Sequence, residues 1–306
     1  MELELQQTPS AYPHLSTKAA AVADGDIITR RHFLQEAHWI GYSAALAILE
    51  RKDFILKGPR VDRMESMLIV GETNNGKTRI IRRFMDQHPP MEMADGNIER
   101  QVLCVQAPPV PDEKRLYGSI LSRVGSPGSS WQSAGSQYQI VEKVLRGVGL
   151  KMLVIDEIQH LVSGSTNKHK DCLNALKYLA NDLQISLVGA GIKTAHYALA
   201  NWDQQLENRF LPCILPRWTF GPELARLLKS MEQLLPLRKP SNLDDPKIVQ
   251  RVADLGDGKI GEIWTLMCVA AFKAMEGGKE LIDIEIIKQA ESIAPAHRRA
   301  LLHGIE

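Results

Sequence analysis

Apolar residues along the 306-residue chain change their spacing several times, and each change marks a new element. Residues 1–25 mix Pro, Ser, Gln and Gly without a period, which predicts a mobile tail. From Ile28 to Glu50, Phe33, Ala37, Ile40, Ala44 and Ile48 recur every three or four residues, the spacing of an amphipathic helix. Gly58-Pro59 then breaks the chain. Four short apolar runs follow, Met67–Val70, Val102–Val105, Met152–Ile155 and Ile185–Val188, each read as a strand, with a fifth near Ile214. Helical spacing fills the intervals at Thr78–Gln87, Lys114–Val124, Tyr138–Arg146 and Asp171–Asn181, while the Gly- and Ser-rich stretch Gly125–Ser136 reads as an exposed loop. Past Pro216 the strand pattern stops, and Pro222–Leu235, Pro246–Leu255, Gly261–Glu276 and Ile284–Ile293 read as helices. Strands alternating with helices predict an α/β fold whose parallel sheet is covered on both faces, followed by a small all-helical domain. The expected organisation is a flexible tail over 1–27, a helical segment over 28–60, an α/β core over 61–216 and a helical lid over 217–306.

Composition narrows this picture only modestly. A hydrophobic fraction of 44% and a charged fraction of 24% are ordinary for a globular chain. A net charge of +1 leaves no overall basic field, so any nucleic-acid contact must come from local patches. The four cysteines, Cys104, Cys172, Cys213 and Cys268, form no CxxC pair, and the nine histidines form no HExxH pattern. Neither a structural zinc site nor a disulfide framework is expected, and a reducing cytoplasm fits best. No apolar run approaches the roughly 20 residues that cross a bilayer, and the acidic, polar start lacks the features of a signal peptide. A cytoplasmic protein without a membrane partner is the expectation.

The segment Gly71-Glu72-Thr73-Asn74-Asn75-Gly76-Lys77-Thr78 matches G-x-x-x-x-G-K-[ST] completely, after a predicted strand and before a predicted helix. Glycines at both ends let the backbone turn tightly, so that successive N–H groups point inward at phosphate oxygens. The following helix adds the positive end of its dipole. Lys77 then reaches the β- and γ-phosphates of a bound ATP, and the Thr78 hydroxyl ligates Mg²⁺. The third predicted strand ends in Asp156-Glu157. Alone such a pair is a weak signal, but beside a P-loop it is the Walker B arrangement. Asp156 is expected to hold the Mg²⁺ shell and Glu157 to orient or deprotonate the attacking water.

These residues resemble the AAA+ ATPases, and more closely the TniB/TnsC-type ATP-binding proteins of transposons, over most of residues 30–290. The resemblance rests on Ala37-His38-Trp39-Ile40-Gly41-Tyr42, on the P-loop with its strand, on Asp156-Glu157-Ile158-Gln159-His160 and on Leu187-Val188-Gly189-Ala190-Gly191. It implies an AAA+ P-loop core with a helical lid, and a regulator of DNA transposition. Such proteins bind ATP, assemble on double-stranded DNA as rings or filaments, and help a DDE-type transposase choose its target, in some cases with a target-selector protein. It also implies an arginine finger in Leu206-Glu207-Asn208-Arg209-Phe210, with Arg209 reaching the nucleotide of a neighbouring subunit.

Two positions depart from the family's pattern. The fourth strand ends in Gly189-Ala190-Gly191 where a polar sensor residue is usual, with Lys193 and Thr194 only nearby. The stretch Gly256–Glu262 carries Lys259 but no sensor arginine. Both departures point to slow or partner-stimulated turnover. Candidate DNA contacts are Lys114, Arg115, the loop Gly125–Ser136 and the basic loop Lys168-His169-Lys170, each of which reads more readily as solvated surface charge. Arg79, Arg82 and Arg83, on the helix after the P-loop, are either solvated or face a neighbouring subunit. Two other readings stay open: a P-loop kinase-like phosphotransferase, and a non-hydrolysing adaptor that uses ATP to hold a shape.

Overall fold

A computed structural model describes residues 11–126, 133–162, 166–195, 210–295 and 297. The chain forms two compact units, residues 43–216 and a second composed of residues 1–42 together with 217–306.

The first unit is built on a five-stranded sheet. Its strands are β1 (Ser66–Val70), β4 (Val102–Gln106), β5 (Met152–Asp156), β6 (Ser186–Gly191) and β7 (Phe210–Ile214). Two further strands, β2 (Met91–Glu92) and β3 (Ile98–Glu99), pair as a separate antiparallel hairpin that the apolar pattern gave no sign of. The large sheet runs in the order β4-β5-β6-β1-β7 with every pairing parallel. Each strand therefore ends on the same edge, where ligand-binding loops of α/β sheets collect. β1 is buried at all five positions, as a strand covered on both faces must be. On one face Leu103, Val105, Leu153 and Ile155 share a core with helices α5 (Glu113–Arg123), α6 (Ala134–Gly147) and α7 (Thr166–Leu183). The alternate residues Met67, Ile69, Met152, Val154 and Val188 are also fully buried. Helices α3 (Ser43–Lys57) and α4 (Lys77–Gln87) pack on the sheet through β1, β4 and β6. Pro212 lies in β7, where an edge strand tolerates the missing N–H.

The second unit is helical. It contains α1 (Thr17–Val22), α2 (Ile27–Gln35), α8 (Pro222–Glu232), α9 (Pro246–Leu255), α10 (Ile260–Glu276) and α11 (Ile284–Ala290), the last continued by a short 3-10 turn. Pro222 and Pro246 stand in the first turns of their helices, where the absent N–H costs nothing. Leu34, Trp218, Leu224, Val252, Met267 and Ile287 belong to one continuous core. Arg30 is buried and donates to Glu280 and to the Pro236 carbonyl. Burial pushes the Glu280 carboxyl up, but hydrogen bonds from Arg30 and from the Arg238 backbone N–H outweigh it and hold the group below the usual carboxylate range.

Three expectations are corrected here. The single helix over Ile28–Glu50 is two, α2 and α3, and Ala37-His38-Trp39-Ile40-Gly41-Tyr42 lies in the non-helical link. That link is held by aromatic contacts instead of helical hydrogen bonds. His38 packs its ring 4.5 Å from Phe33 and 5.6 Å from Trp264, and Tyr42 meets Trp218 edge-on at 5.1 Å. Lys168, His169 and Lys170 lie in the opening turns of α7, not in a loop. The expected tail includes α1, capped by Ser16, whose hydroxyl accepts from the Ala19 N–H at 3.3 Å; Leu15, Ala19 and Ala23 pack with Phe33. Ser16→Ala should therefore cost about 1 kcal/mol in urea unfolding of the full chain. An unchanged midpoint would mean that α1 contributes nothing to the unit. Residues 127–132 of the expected Gly/Ser loop lie outside the described residues, and Ser133–Ser136 cap and begin α6.

Candidate functional site

The P-loop leaves the buried end of β1 and is fixed on both sides by backbone hydrogen bonds. The Gly71 N–H donates to the Gly191 carbonyl at 3.1 Å, and the Leu215 N–H donates to the Val70 carbonyl at 2.8 Å. A Cβ on Gly71 would stand 3.0 Å from Leu215 Cδ1, so any side chain at this first glycine would have to displace Leu215 by a few tenths of an ångström. Within the loop Asn74 has φ 63° and Gly76 φ 88°, the left-handed backbone that turns N–H groups toward one point. Asn75 is buried and donates from Nδ2 to the Pro216 carbonyl at 2.9 Å. Gly76 caps α4, whose first residue is Lys77.

Lys77 is buried, and its Nζ donates to the carbonyls of Gly71 at 2.8 Å and Glu72 at 2.9 Å. Burial pushes the amine down from its ordinary range, and the carboxylates of Glu157 and Asp156 pull it back part of the way. The loop carbonyls that hold it are weak partners for a cation, so a phosphate anion would compete for it favourably. Thr78 Oγ1 donates to Asp156 Oδ2 at 2.9 Å, joining the P-loop to the end of β5 across the intervening strand β6. A hydroxyl and a carboxylate oxygen in contact form a hard-oxygen donor pair suited to Mg²⁺. The residues present therefore fit both a nucleotide phosphate chain and its metal.

Asp156 Oδ1 also accepts from the Glu157 N–H at 2.9 Å, and Glu157 adopts φ 55°, an uncommon conformation for a residue with a Cβ. The left-handed turn ends β5 abruptly and starts the 3-10 turn Ile158–Val162, with the His160 N–H on the Glu157 carbonyl at 3.0 Å. The Glu157 carboxylate accepts a hydrogen bond from Gln159 Nε2, a residue to which the sequence alone assigns no role.

The structure thus brings Gly71–Thr78, Asp156 and Glu157 together at one sheet edge. Arg209 lies outside the described residues. Lys193 and Thr194 are exposed beyond β6, and in the helical unit Lys259 donates to Asp257 at 2.8 Å. Arg79, Arg82 and Arg83 are exposed. Lys114 is exposed, and Arg115 lines an open cleft of about 650 Å³ together with Gln106, Pro108, Ser119, Ser122 and His160. Among the described residues no group of His, Cys, Asp and Glu forms a further metal site, and no helix is long and apolar enough to cross a membrane.

Comparison with solved structures shows the same fold. The ORC1 protein of Aeropyrum pernix, solved in complex with DNA, superposes with a TM-score of 0.60 at 21% identity, covering 86% of this chain and 68% of ORC1. ORC2 of the same organism, solved with ADPNP and ADP, gives 0.59 at 14% identity, covering 86% and 71%. The RuvB branch-migration motor of Thermotoga maritima gives 0.52 at 15% identity, covering 85% and 73%. The parallel sheet and its helices are those of an AAA+ P-loop ATPase. No curated protein matches the chain in sequence. The sequence does match the family described as bacterial TniB protein over residues 30–220, more than half of its length, and the chain belongs to that family.

Proposed function

We propose that this chain is an ATPase that assembles on double-stranded DNA and regulates transposition by recruiting or activating a DDE-type transposase. The observation that carries the ATPase part is the Thr78–Asp156 hydrogen bond, which sets P-loop and acidic pair side by side with Lys77 and Glu157 flanking it. Gly71–Thr78 bind the phosphates through backbone N–H groups and Lys77, while Thr78 and Asp156 hold Mg²⁺. The metal, when bound, neutralises charge on the phosphate oxygens. Glu157 takes the proton of the attacking water. Residues 43–216 serve as the nucleotide-binding core, and the helical unit, with α1 and α2 included, serves as the lid.

Family membership and the DNA complex of the ORC1 relative support a DNA-bound oligomer. Arg115 and the two serines beside it, Ser119 and Ser122, are the preferred phosphate contacts, since a cation and two hydroxyls line the same open cleft. Arg209 is proposed as the finger that completes a neighbour's site. Phosphate release should be slow with the chain alone and rise with duplex DNA and transposase. Arg209→Ala should still bind ATP yet lose hydrolysis and assembly, and normal hydrolysis by this variant removes the finger assignment. Transfer of the γ-phosphate to an acceptor, or tight ATP retention with no release under any condition, would replace the proposal with a phosphotransferase or an adaptor.

A further inference from the structure

We propose that Gln159 is the positioning residue for Glu157, and that Gly191 at the tip of β6 is kept small to make room for it. The inference rests on the reading of Glu157 as the base for hydrolysis. A carboxylate only accepts hydrogen bonds, so the Gln159 amide must turn its NH₂ toward Glu157, as it does. This leaves Oε1 on the opposite side, buried and without a hydrogen-bond partner among the described residues. A Cβ on residue 191 would lie 2.7 Å from that oxygen, closer than real contacts allow, with Ile158 Cγ2 at 3.0 Å and Ala195 Cβ at 3.1 Å as its next neighbours. The amide is therefore wedged between the base and the end of β6, whose last five residues, Leu187 to Gly191, carry no polar side chain.

An unpartnered buried carbonyl costs stability, so packing alone does not favour a glutamine here over an apolar side chain of the same length. What the glutamine supplies is direction. Glu157 leaves a left-handed backbone, φ 55°, whose N–H is tied to Asp156 Oδ1. Its carboxylate has a freely rotating stem unless a second group holds it, and Gln159 is that group. Gly191 connects this arrangement to the nucleotide loop, because its carbonyl accepts the Gly71 N–H. The polar position absent from β6 is thus filled from the turn after β5.

The test uses the full chain with ATP, Mg²⁺ and duplex DNA. Nucleotide affinity and kcat are measured for the wild type, Glu157→Gln, Gln159→Leu, Gln159→Ala and Gly191→Ala. Gln159→Leu, which keeps the shape and removes the donor, should lower kcat about ten- to a hundredfold, the weight of a hydrogen bond to a charged group. Its nucleotide affinity should stay within about twofold, because the bond acts on the reacting water and not on the phosphates. Gly191→Ala should show the same split, and should cost less kcat in a Gln159→Ala background, where the shortest contact of the added methyl is gone and only Ile158 and Ala195 remain close. Wild-type kcat in Gln159→Leu, faster turnover than wild type, or affinity falling in step with kcat each overturns the positioning role. A wild-type chain whose hydrolysis does not depend on Glu157 sinks the underlying reading, and the inference with it.

Discussion

Glu157→Gln should bind ATP as tightly as the unaltered chain and release phosphate roughly 10²- to 10⁴-fold more slowly, the range expected when a positioned base is lost. The substitution is nearly isosteric, and its amide oxygen can still accept from Gln159 Nε2. The backbone bond from residue 157 to Asp156 Oδ1 is untouched, as is the Thr78–Asp156 contact. What changes is the capacity to take a proton, so the loss falls on kcat and spares nucleotide affinity. Lys77→Met should behave in the opposite way, weakening binding itself, because it removes the one buried cation in the loop. Release of phosphate by Glu157→Gln at the unaltered rate would remove the base from the site. Trapping of ATP by the same variant would provide the stable ATP-bound form needed to look for rings or filaments on DNA.

The legibility of this site in the sequence follows from how local each duty is. Gly71, Gly76, Lys77 and Thr78 act through their own backbone or a single side-chain atom, and their positions are fixed by the loop they belong to. The strands that carry them are continuous apolar runs because both faces of the sheet are covered. The Glu157–Gln159 bond was not legible, since it depends on the left-handed turn at Glu157 and on the space above Gly191, neither of which has a spacing signature. The region before β1 was misread for a related reason. Apolar residues at three- and four-residue steps continue through Gly41, but His38 and Tyr42 find aromatic partners in Phe33, Trp264 and Trp218, and those contacts stabilise an irregular link. Periodicity reports which side chains are buried and says little about where backbone hydrogen bonds stop. The opening turns of α7 were missed because Lys168, His169 and Lys170 carry no apolar stripe, although the helix continues into the buried Leu173, Leu176 and Leu179.

Lys52→Met should stabilise the protein at neutral and lower pH, and should flatten its stability between about pH 7 and pH 10. Lys52 lies on α3 with no exposed surface, and its Nζ has no hydrogen-bond partner among the described residues. The compensation the described residues offer is the Phe84 ring of α4, whose centroid is 4.0 Å away. Burial drives the amine down to about 7 from 10.5, with the Cys104 thiol opposing slightly. Cys104 supplies no countercharge at neutral pH, because burial in the first place, and Asp156 after it, push that thiol up to about 11. The sign follows from proton uptake. Between 7 and 10.5 the unfolded chain holds a proton that the folded chain lacks, so stability rises with pH across this window. Below about 7 both states are protonated and the penalty is complete, about 5 kcal/mol at 1.36 kcal/mol per unit of difference. That difference is the net cost of keeping the charged amine in the fold, its contact with the Phe84 ring included, so replacing the amine with a thioether of similar length should gain several kcal/mol, up to about 5. Urea unfolding at pH 6 and pH 9.5 separates the cases. A wild-type chain equally stable at both values, or a Lys52→Met variant weaker than wild type at pH 6, would show that the amine is solvated or paired in the folded protein. The expected result instead makes α3 and α4 a packed pair held together despite a buried charge, and ties the stability of the helix that begins with Lys77 to the protonation of Lys52.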